Sequence, residues 1–197
     1  MATQIDKIVY LLSKIPGVGP RSARRALLHL LKYREQLMLP LAEELEKSAK
    51  LIKHCQICNN IDDNSPCSIC LDNKRNQKII CIVENISDLW AIERGKIFNG
   101  AYHVLGGTLS VSHGRGPDDL SLKTLASRIK TDQVEEVIIA TSATLDGQTT
   151  AFYITEFLNK ETQIHITRLA YGIPVGAELD YLDDSTLEAS FISRKAF

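Results

Sequence analysis

Hydrophobic positions recur with two different periods along this chain, and the change of period divides it. Across residues 5–52, apolar side chains such as Ile5 and Ile8 return every three or four positions, which predicts amphipathic helices. Glycine and proline interrupt this pattern at 15–20 and again at 39–40, where we expect the helices to break.

From residue 78 onward, short continuous apolar runs alternate with helical patterns. The predicted strands lie at 78–84, 101–105, 135–141 and 163–169, and the predicted helices between them at 87–95, 121–130 and 149–159. Strands that are apolar throughout are buried on both faces. The pattern therefore predicts an α/β fold, in which a mostly parallel sheet carries helices on both faces.

Composition and charge narrow the class of protein. The chain is 44% hydrophobic and carries a net charge of −1. It contains neither a long apolar run nor a secretory signal pattern, so we expect a cytoplasmic protein without membrane contact and with reduced thiols. Residues 1–54 hold ten Lys and Arg against five Asp and Glu. This basic segment indicates a polyanion partner, although a solvated helical surface explains the charge equally well.

The break at 15–20 is the first candidate binding site. Two glycines one residue apart leave backbone N–H groups free to point outward, and the next helix presents its positive dipole end at the same place. Such a turn suits a nucleic-acid phosphate. The candidate DNA contacts are Gly17, Val18, Gly19, Arg21, Arg24 and Arg25. The stretch resembles the helix–hairpin–helix motif of DNA repair proteins; the alternative is an ordinary turn between helices.

The segment 54–76 is poor in apolar residues and holds two Cys-x-x-Cys pairs, eight residues apart. Such a segment cannot fold by core burial alone. The spacing predicts a closed tetrahedral site for one structural Zn²⁺, with an iron–sulfur cluster and isolated core cysteines as alternatives. The predicted ligands are Cys55, Cys58, Cys67 and Cys70. We expect Cys81 to be a buried apolar residue and His54 to stand outside the ligand set.

Acidic residues follow the first predicted strand, at the edge where ligands of open α/β sheets bind. The candidates are Glu84, Asp88 and Asp146. The arrangement resembles the Toprim domain, whose active enzymes hold Mg²⁺ with a glutamate and an Asp-x-Asp pair. Ser142-Ala143-Thr144 stands at the second position here, which disfavours catalysis. Alternatively, Glu84 and Asp88 are simply charges at a helix N-terminus.

Taken in order, these motifs resemble the RecR family of bacterial recombination mediators along nearly the whole chain. The likeness includes Gly114-x-Gly116-Pro117-Asp118-Asp119 and the block R-L-A-x-G-x-P-V-G-x-E-L at 168–179. It implies a non-enzymatic protein of the nucleoid that binds single- and double-stranded DNA. Such a protein acts with RecO and RecF to place RecA on single-stranded DNA at gaps, and forms a homo-oligomer, in this family a tetrameric ring.

The resemblance also implies a division of the chain and shows where this sequence departs from the family. We expect a helix–hairpin–helix domain at 1–53, a C4-type zinc finger at 54–76, a Toprim domain at 77–171 and a tail at 172–197. The tail holds a Walker-B-like block with Asp180, Asp183 and Asp184 and makes subunit contacts. Asp146 stands where relatives often have Glu, which keeps the charge and shortens its reach. The glycine-rich segment 106–116 is predicted to be a crevice loop that gates DNA or a partner, or a plain connection.

Three functional classes fit these observations. The first is a non-enzymatic DNA-binding mediator, favoured by the arginines, the cysteines and the incomplete acidic pair. The second is a Toprim nuclease that uses a divalent metal at Glu84 and Asp146. The third is a zinc-containing adaptor that never contacts DNA.

Overall fold

The computed structural model describes residues 3–194, which divide after Ile52 into two compact units. The first unit is helical, as the period of its apolar positions predicts. It consists of α1 (Gln4–Leu12), α2 (Pro20–Lys32), a π-helical turn (Arg34–Met38) and α3 (Leu39–Leu51). Thr3 begins α1 with a capping box, in which its hydroxyl accepts from the Asp6 amide and Asp6 accepts from the Thr3 amide.

One of the two predicted breaks in this unit lies elsewhere. The turn at 15–20 separates α1 from α2 as expected. The second break falls at Tyr33, which ends α2 with φ −111° and ψ 48°, and not at 39–40. Pro40 lies in the first turn of α3, where a missing N–H costs no helical hydrogen bond. A proline in the first turn is compatible with the start of a helix. Pro40 therefore marks the beginning of α3 and does not interrupt a helix.

The second unit contains the strands. Its elements in chain order are β1 (Lys53–His54), β2 (Ile61–Asp62), α4 (Ser68–Leu71), β3 (Asn76–Val83), α5 (Ile86–Gly95), β4 (Gly100–Val104), α6 (Leu122–Thr131), β5 (Glu136–Ala140), α7 (Leu145–Glu161), β6 (His165–Arg168) and α8 (Asp184–Ile192). Short 3₁₀ turns lie at Pro117–Asp119 and Leu179–Tyr181. β1 and β2 form a small antiparallel pair.

The main sheet has the strand order β4-β3-β5-β6, and all neighbouring strands are parallel. Alternate residues of β3 face opposite sides: Ile80 and Ile82 pack with α6 and α7, whereas Cys81 and Val83 pack with Leu89 of α5. The predicted α/β fold with helices on both faces is therefore confirmed. In register, Val83 is opposite Val104 on one side and Ala140 on the other, so three strands end at one edge.

Helix α7 begins at Leu145, four residues before the predicted start. Thr144 caps it by accepting a hydrogen bond from the Gly147 amide at 3.2 Å. Packing requires a glycine at position 147 in the first turn of this helix. A Cβ at Gly147 would collide with the Ser142 carbonyl oxygen and would lie 2.9 Å from a Glu84 carboxylate oxygen.

Buried polar groups join β4 to the elements beside it. Arg128 of α6 donates to the Tyr102 carbonyl oxygen at 2.7 Å. Nε2 of the fully buried His103 lies 2.8 Å from the Ser121 carbonyl oxygen. Burial lowers the pKa of His103 to about 4, so the ring is neutral at pH 7 and donates through Nε2–H. These bonds fix the carboxyl end of β4, from which residues 106–116 begin.

No helix within residues 3–194 combines the length and the apolar character needed to span a lipid bilayer.

Candidate zinc centre and nucleic-acid interface

Two short structural pieces bring the four cysteines together. Cys55 and Cys58 lie in the turn that joins β1 to β2, and Cys67 and Cys70 lie at the start and within α4. The four sulfur atoms all lie within 4.8 Å of one another. Sγ of Cys55 is 3.9 Å from Sγ of Cys70, and Sγ of Cys58 is 3.5 Å from Sγ of Cys67. Tetrahedral zinc with Zn–S bonds of about 2.3 Å requires sulfur separations of about 3.8 Å, so the geometry fits the ion.

The pKa values of the cysteine thiols are also consistent with a bound cation. Burial raises the pKa of Cys55, but backbone amides, including that of Cys67 at 3.3 Å, donate to its sulfur and bring the pKa down to about 7. The neighbouring Cys70 sulfur and burial raise the pKa of Cys58. Burial and the charge of Cys58 raise the pKa of Cys67 to about 11. Four thiolates this close require a central positive charge, which one Zn²⁺ supplies.

Hydrogen bonds attach this centre to the main sheet. The Val104 amide donates to the Cys58 carbonyl oxygen at 2.8 Å. Nδ2 of Asn59, a residue with φ 61°, donates to the Val104 carbonyl oxygen at 3.2 Å and to the Ser121 hydroxyl at 3.1 Å. The metal-binding turn and the end of β4 therefore form one hydrogen-bonded structure.

Two neighbouring residues stand outside the thiol cluster, in the way that the sequence predicts. Cys81 is buried in the sheet core, and burial raises the pKa of its thiol to about 12. His54 is exposed, and its Nδ1 lies 3.4 Å from the Asn59 carbonyl oxygen. The group of four thiols is the only one within residues 3–194 in which three or more His, Cys, Asp or Glu side chains place their ligand atoms mutually within 4.8 Å.

The turn between α1 and α2 presents backbone donors to solvent. Gly17 has φ 81°, which L side chains rarely adopt, and the Val18 amide donates to the Ile15 carbonyl oxygen at 3.0 Å. Gly19 caps α2 and Pro20 is its first residue. The other amides of a first helical turn have no partner within the helix, so they are available to an anion.

The three arginines of α2 lie beside this turn and are exposed, whereas Ala23 and Leu27 of the same helix are buried. The structure therefore brings the turn and Arg21, Arg24 and Arg25 together on one helix start. The continuation of this surface along α2 was not predicted from the sequence. An open groove of about 660 Å³ is lined by Ser22, Arg25, Ala26, Leu28, His29 and Lys32. The spacing of 25, 29 and 32 is the signal that could have revealed it.

The acidic candidates are held by local hydrogen bonds. Glu84 follows β3 and accepts a hydrogen bond from the Ser142 amide at 2.6 Å. Asp88 accepts from the amide of Asn85, the N-cap residue of α5, at 2.9 Å and so completes a capping box, which agrees with the helix-terminus alternative. Asp146 lies half-buried in the first turn of α7. Ser142 and Thr144, at the second Toprim position, hydrogen bond to each other through their hydroxyls at 2.7 Å.

The tail carries the acidic residues of the Walker-B-like block. Asp183 caps α8, accepting from the Thr186 amide at 2.9 Å. The hydroxyls of Ser185 and Thr186 hold the pKa of Asp183 below its usual range. Asp180 lies in the 3₁₀ turn before it. The likeness to a Walker B motif stays a prediction.

The fold and these sites define a class of protein: a Toprim-domain protein with a four-cysteine zinc finger and a helix–hairpin–helix segment. Comparison with family models agrees. The model for the RecR helix-hairpin-helix matches residues 5–49, and the model for the RecR zinc finger domain with four cysteines matches 52–72. The model for the Toprim domain matches 78–170, and that for the RecR C-terminal region matches 172–195. One structural zinc site is thereby established at the four cysteines.

Curated relatives cover almost the whole chain. The protein from Bradyrhizobium sp. (strain ORS 278) named Recombination protein RecR is 52% identical over 98% of this chain and 97% of its own length. The Recombination protein RecR of Ehrlichia chaffeensis is 53% identical over 96% of this chain and 97% of its own. That of Sinorhizobium fredii is 52% identical over 97% and 94%. This chain belongs to the RecR family.

Replacement of a zinc ligand should remove the metal and much of the stability. We expect about one zinc per chain by elemental analysis of the wild-type protein. Cys58→Ser should lose the ion and lower the thermal midpoint by about 5 °C or more, because binding free energy is folding free energy in such sites. Cys81→Ala is the control, and it should keep one zinc per chain. A Cys58→Ser protein that is metal-free and as stable as wild type would contradict the structural role.

Proposed function

We propose that this chain is a non-enzymatic, DNA-binding mediator of recombinational repair. In this proposal it acts with RecO and RecF to help place RecA on single-stranded DNA at gaps, in the cytoplasm and at the nucleoid. The observation that carries the proposal is the exposed cluster of arginines beside the open amides at the start of α2. The name of the relatives, recombination protein, supports it.

The DNA contact is a phosphate contact. The Gly17–Gly19 turn offers backbone N–H groups and the positive end of α2, neither of which reads a base. Arg21, Arg24 and Arg25 add charge that releases counterions from the polymer. Because single and double strands share the phosphodiester, we propose that both are bound.

Removing the arginines should flatten the salt dependence of DNA binding. We expect Arg21→Ala/Arg24→Ala/Arg25→Ala to lower the slope of log affinity against log salt by about 2 to 3, since each phosphate contact contributes about 0.7 to 0.9. Fluorescence anisotropy of a labelled oligonucleotide between about 50 and 300 mM salt measures it.

A matched control removes three other cations. Lys47→Ala/Lys50→Ala/Lys130→Ala deletes the same charge from residues that form surface ion pairs. Such pairs contribute little to stability, so this variant should fold and keep the wild-type slope. Equal slopes for the two triple variants would show that the binding is not located at the start of α2.

The Toprim crevice is proposed to bind without catalysing. Active Toprim enzymes need carboxylates at both positions to hold Mg²⁺. Here Glu84 accepts the Ser142 amide, and hydroxyls stand at the second position. Hydroxyl groups are weak ligands for a hard cation that prefers charged oxygens. This donor set supports a binding surface and disfavours phosphoryl transfer.

Pure protein should therefore leave supercoiled plasmid intact in Mg²⁺. The expected result is no nicking above a buffer control over hours, measured on an agarose gel. Glu84→Gln, which keeps the size of the side chain, separates real activity from contamination. Nicking by wild type that disappears in Glu84→Gln would establish a Toprim nuclease and end the non-enzymatic proposal.

Exposed apolar side chains support an oligomer, which we propose to be a tetrameric ring. Ile5, Leu28 and Leu45 in the first unit are more than half exposed, as are Val175 and Phe191 in the tail. A second copy of the chain could cover these apolar side chains. We propose that Glu84, Asp88 and Asp146 form an acidic surface that binds a partner, for which RecO is the candidate.

Light scattering after size-exclusion chromatography tests both the oligomeric state and the binding of RecO. We expect a mass near that of four chains of 21.9 kDa, and co-elution with added RecO. Asp146→Lys should abolish co-elution by charge repulsion while the mass of the protein alone stays unchanged. A monomer would contradict the ring, and unchanged co-elution would place RecO elsewhere.

A further inference from the structure

The segment 106–116 forms a hairpin that neither the zinc centre nor the start of α2 uses. Ser110 and Arg115 pair as an antiparallel bridge, with N···O distances of 3.1 and 2.9 Å. The Gly114 amide donates to the Val111 carbonyl oxygen at 3.1 Å and closes the turn. The segment 106–116 therefore contains a hairpin closed by three backbone hydrogen bonds.

Gly107 makes room for the guanidinium of Arg115. Its φ is 144°, and a Cβ at this residue would overlap Nη1 of Arg115. A side chain at Gly107 would therefore be strained and would displace the guanidinium. The hairpin holds this cation against its own backbone.

The charge of Arg115 is not neutralised by the acids near it. Residues 103–116 contain no Asp or Glu. Asp118 pairs with Lys123 at 2.9 Å, and Asp119 accepts from the Gly116 amide at 2.8 Å. None of the ion pairs formed within residues 3–194 includes Arg115, and its side chain is exposed.

His113 adds a second donor to the same hairpin. Its Nδ1 lies 3.0 Å from the Ser110 hydroxyl and 3.2 Å from the Ser112 hydroxyl. When these hydroxyls donate to Nδ1, the neutral ring carries its proton on Nε2. The ring is exposed, so Nε2–H is available to a ligand. Val111 of the same hairpin is fully exposed.

We propose that the glycine-rich hairpin binds a phosphodiester of a nucleic-acid strand through Arg115 and His113. A guanidinium and an imidazole N–H on one short hairpin match the oxygens of a phosphate. The hairpin follows β4 at the carboxyl edge of the sheet, where the Gly106 amide donates to the Glu84 carbonyl oxygen at 3.0 Å. Ligands of parallel α/β sheets bind at this edge.

This inference rests on the DNA-binding function proposed above and adds a contact in the second unit. The nearby Glu84 carboxylate would repel a phosphate. However, this carboxylate is half-buried and accepts a hydrogen bond from the Ser142 amide. The contact is to the backbone of the strand and carries no base preference.

The test uses anisotropy of a labelled oligothymidylate with the full-length protein. Arg115→Ala should weaken binding about fivefold at about 0.1 M salt and lower the salt slope by about 0.7, the value for one contact on a single strand. Arg115→Lys keeps the charge and should keep the slope. Lys123→Ala deletes the same charge from an exposed residue paired with Asp118, and should bind as wild type does. Circular dichroism and zinc content should be unchanged in all three variants.

The outcomes separate this inference from the function on which it rests. Salt-dependent binding by wild type with Arg115→Ala indistinguishable from Lys123→Ala would overturn the hairpin contact alone. Absence of salt-dependent binding by wild type would overturn the DNA-binding function itself. Binding of inorganic phosphate that requires Arg115, with oligonucleotide affinity unaffected, would identify a free anion as the ligand and contradict the proposal.

Discussion

The four thiolates of the zinc centre hold together the part of the second unit that has the smallest apolar core. The turn and helix that carry them bury little besides the cysteines, Ile57 and Ile69, so apolar burial cannot hold this segment together. Neighbouring sulfurs and burial raise the pKa values of Cys58 and Cys67. Once the metal joins them, the Cys58 carbonyl oxygen and the Asn59 amide group bind the end of β4. The zinc centre therefore supports the edge of the sheet where the candidate ligand contacts lie.

At that edge, the residues at both Toprim positions are held by hydrogen bonds within the protein. A glutamate remains after β3, but its carboxylate accepts the Ser142 amide and so joins the ends of β3 and β5. Gly147 is required because a Cβ would collide with both residues. The carboxylate stabilises the crevice, and the donors of the glycine-rich hairpin face solvent beside it. Charge and backbone N–H groups are the properties that a sequence-independent DNA-binding surface needs.

The elements were predictable where one local rule governs them. The spacing of apolar positions predicted the strands of the sheet and the helices α5 and α6 to within one or two residues. The strands were clear because a strand buried on both faces is apolar throughout. The predicted start of α7 and the predicted break at 39–40 differ from the structure. Pro40 was interpreted as an interruption, whereas it lies in the first turn of α3. The earlier start of α7 follows from the Thr144 cap and the close packing of Gly147 against Ser142 and Glu84.

The sequence by itself determined the zinc ligands, the arginines at the start of α2 and the order of the parts. These features depend on spacing within a few residues, and local geometry translates such spacing directly into a site. Only the tertiary structure showed that Glu84 accepts a hydrogen bond from Ser142 and that Gly107 accommodates Arg115. It also showed that the metal-binding turn is hydrogen-bonded to β4. Each of these is a contact across a turn or between segments distant in sequence, such as Glu84 with Ser142 or Cys58 with Val104. Residue type does not specify such pairings; the packing of the parallel sheet does.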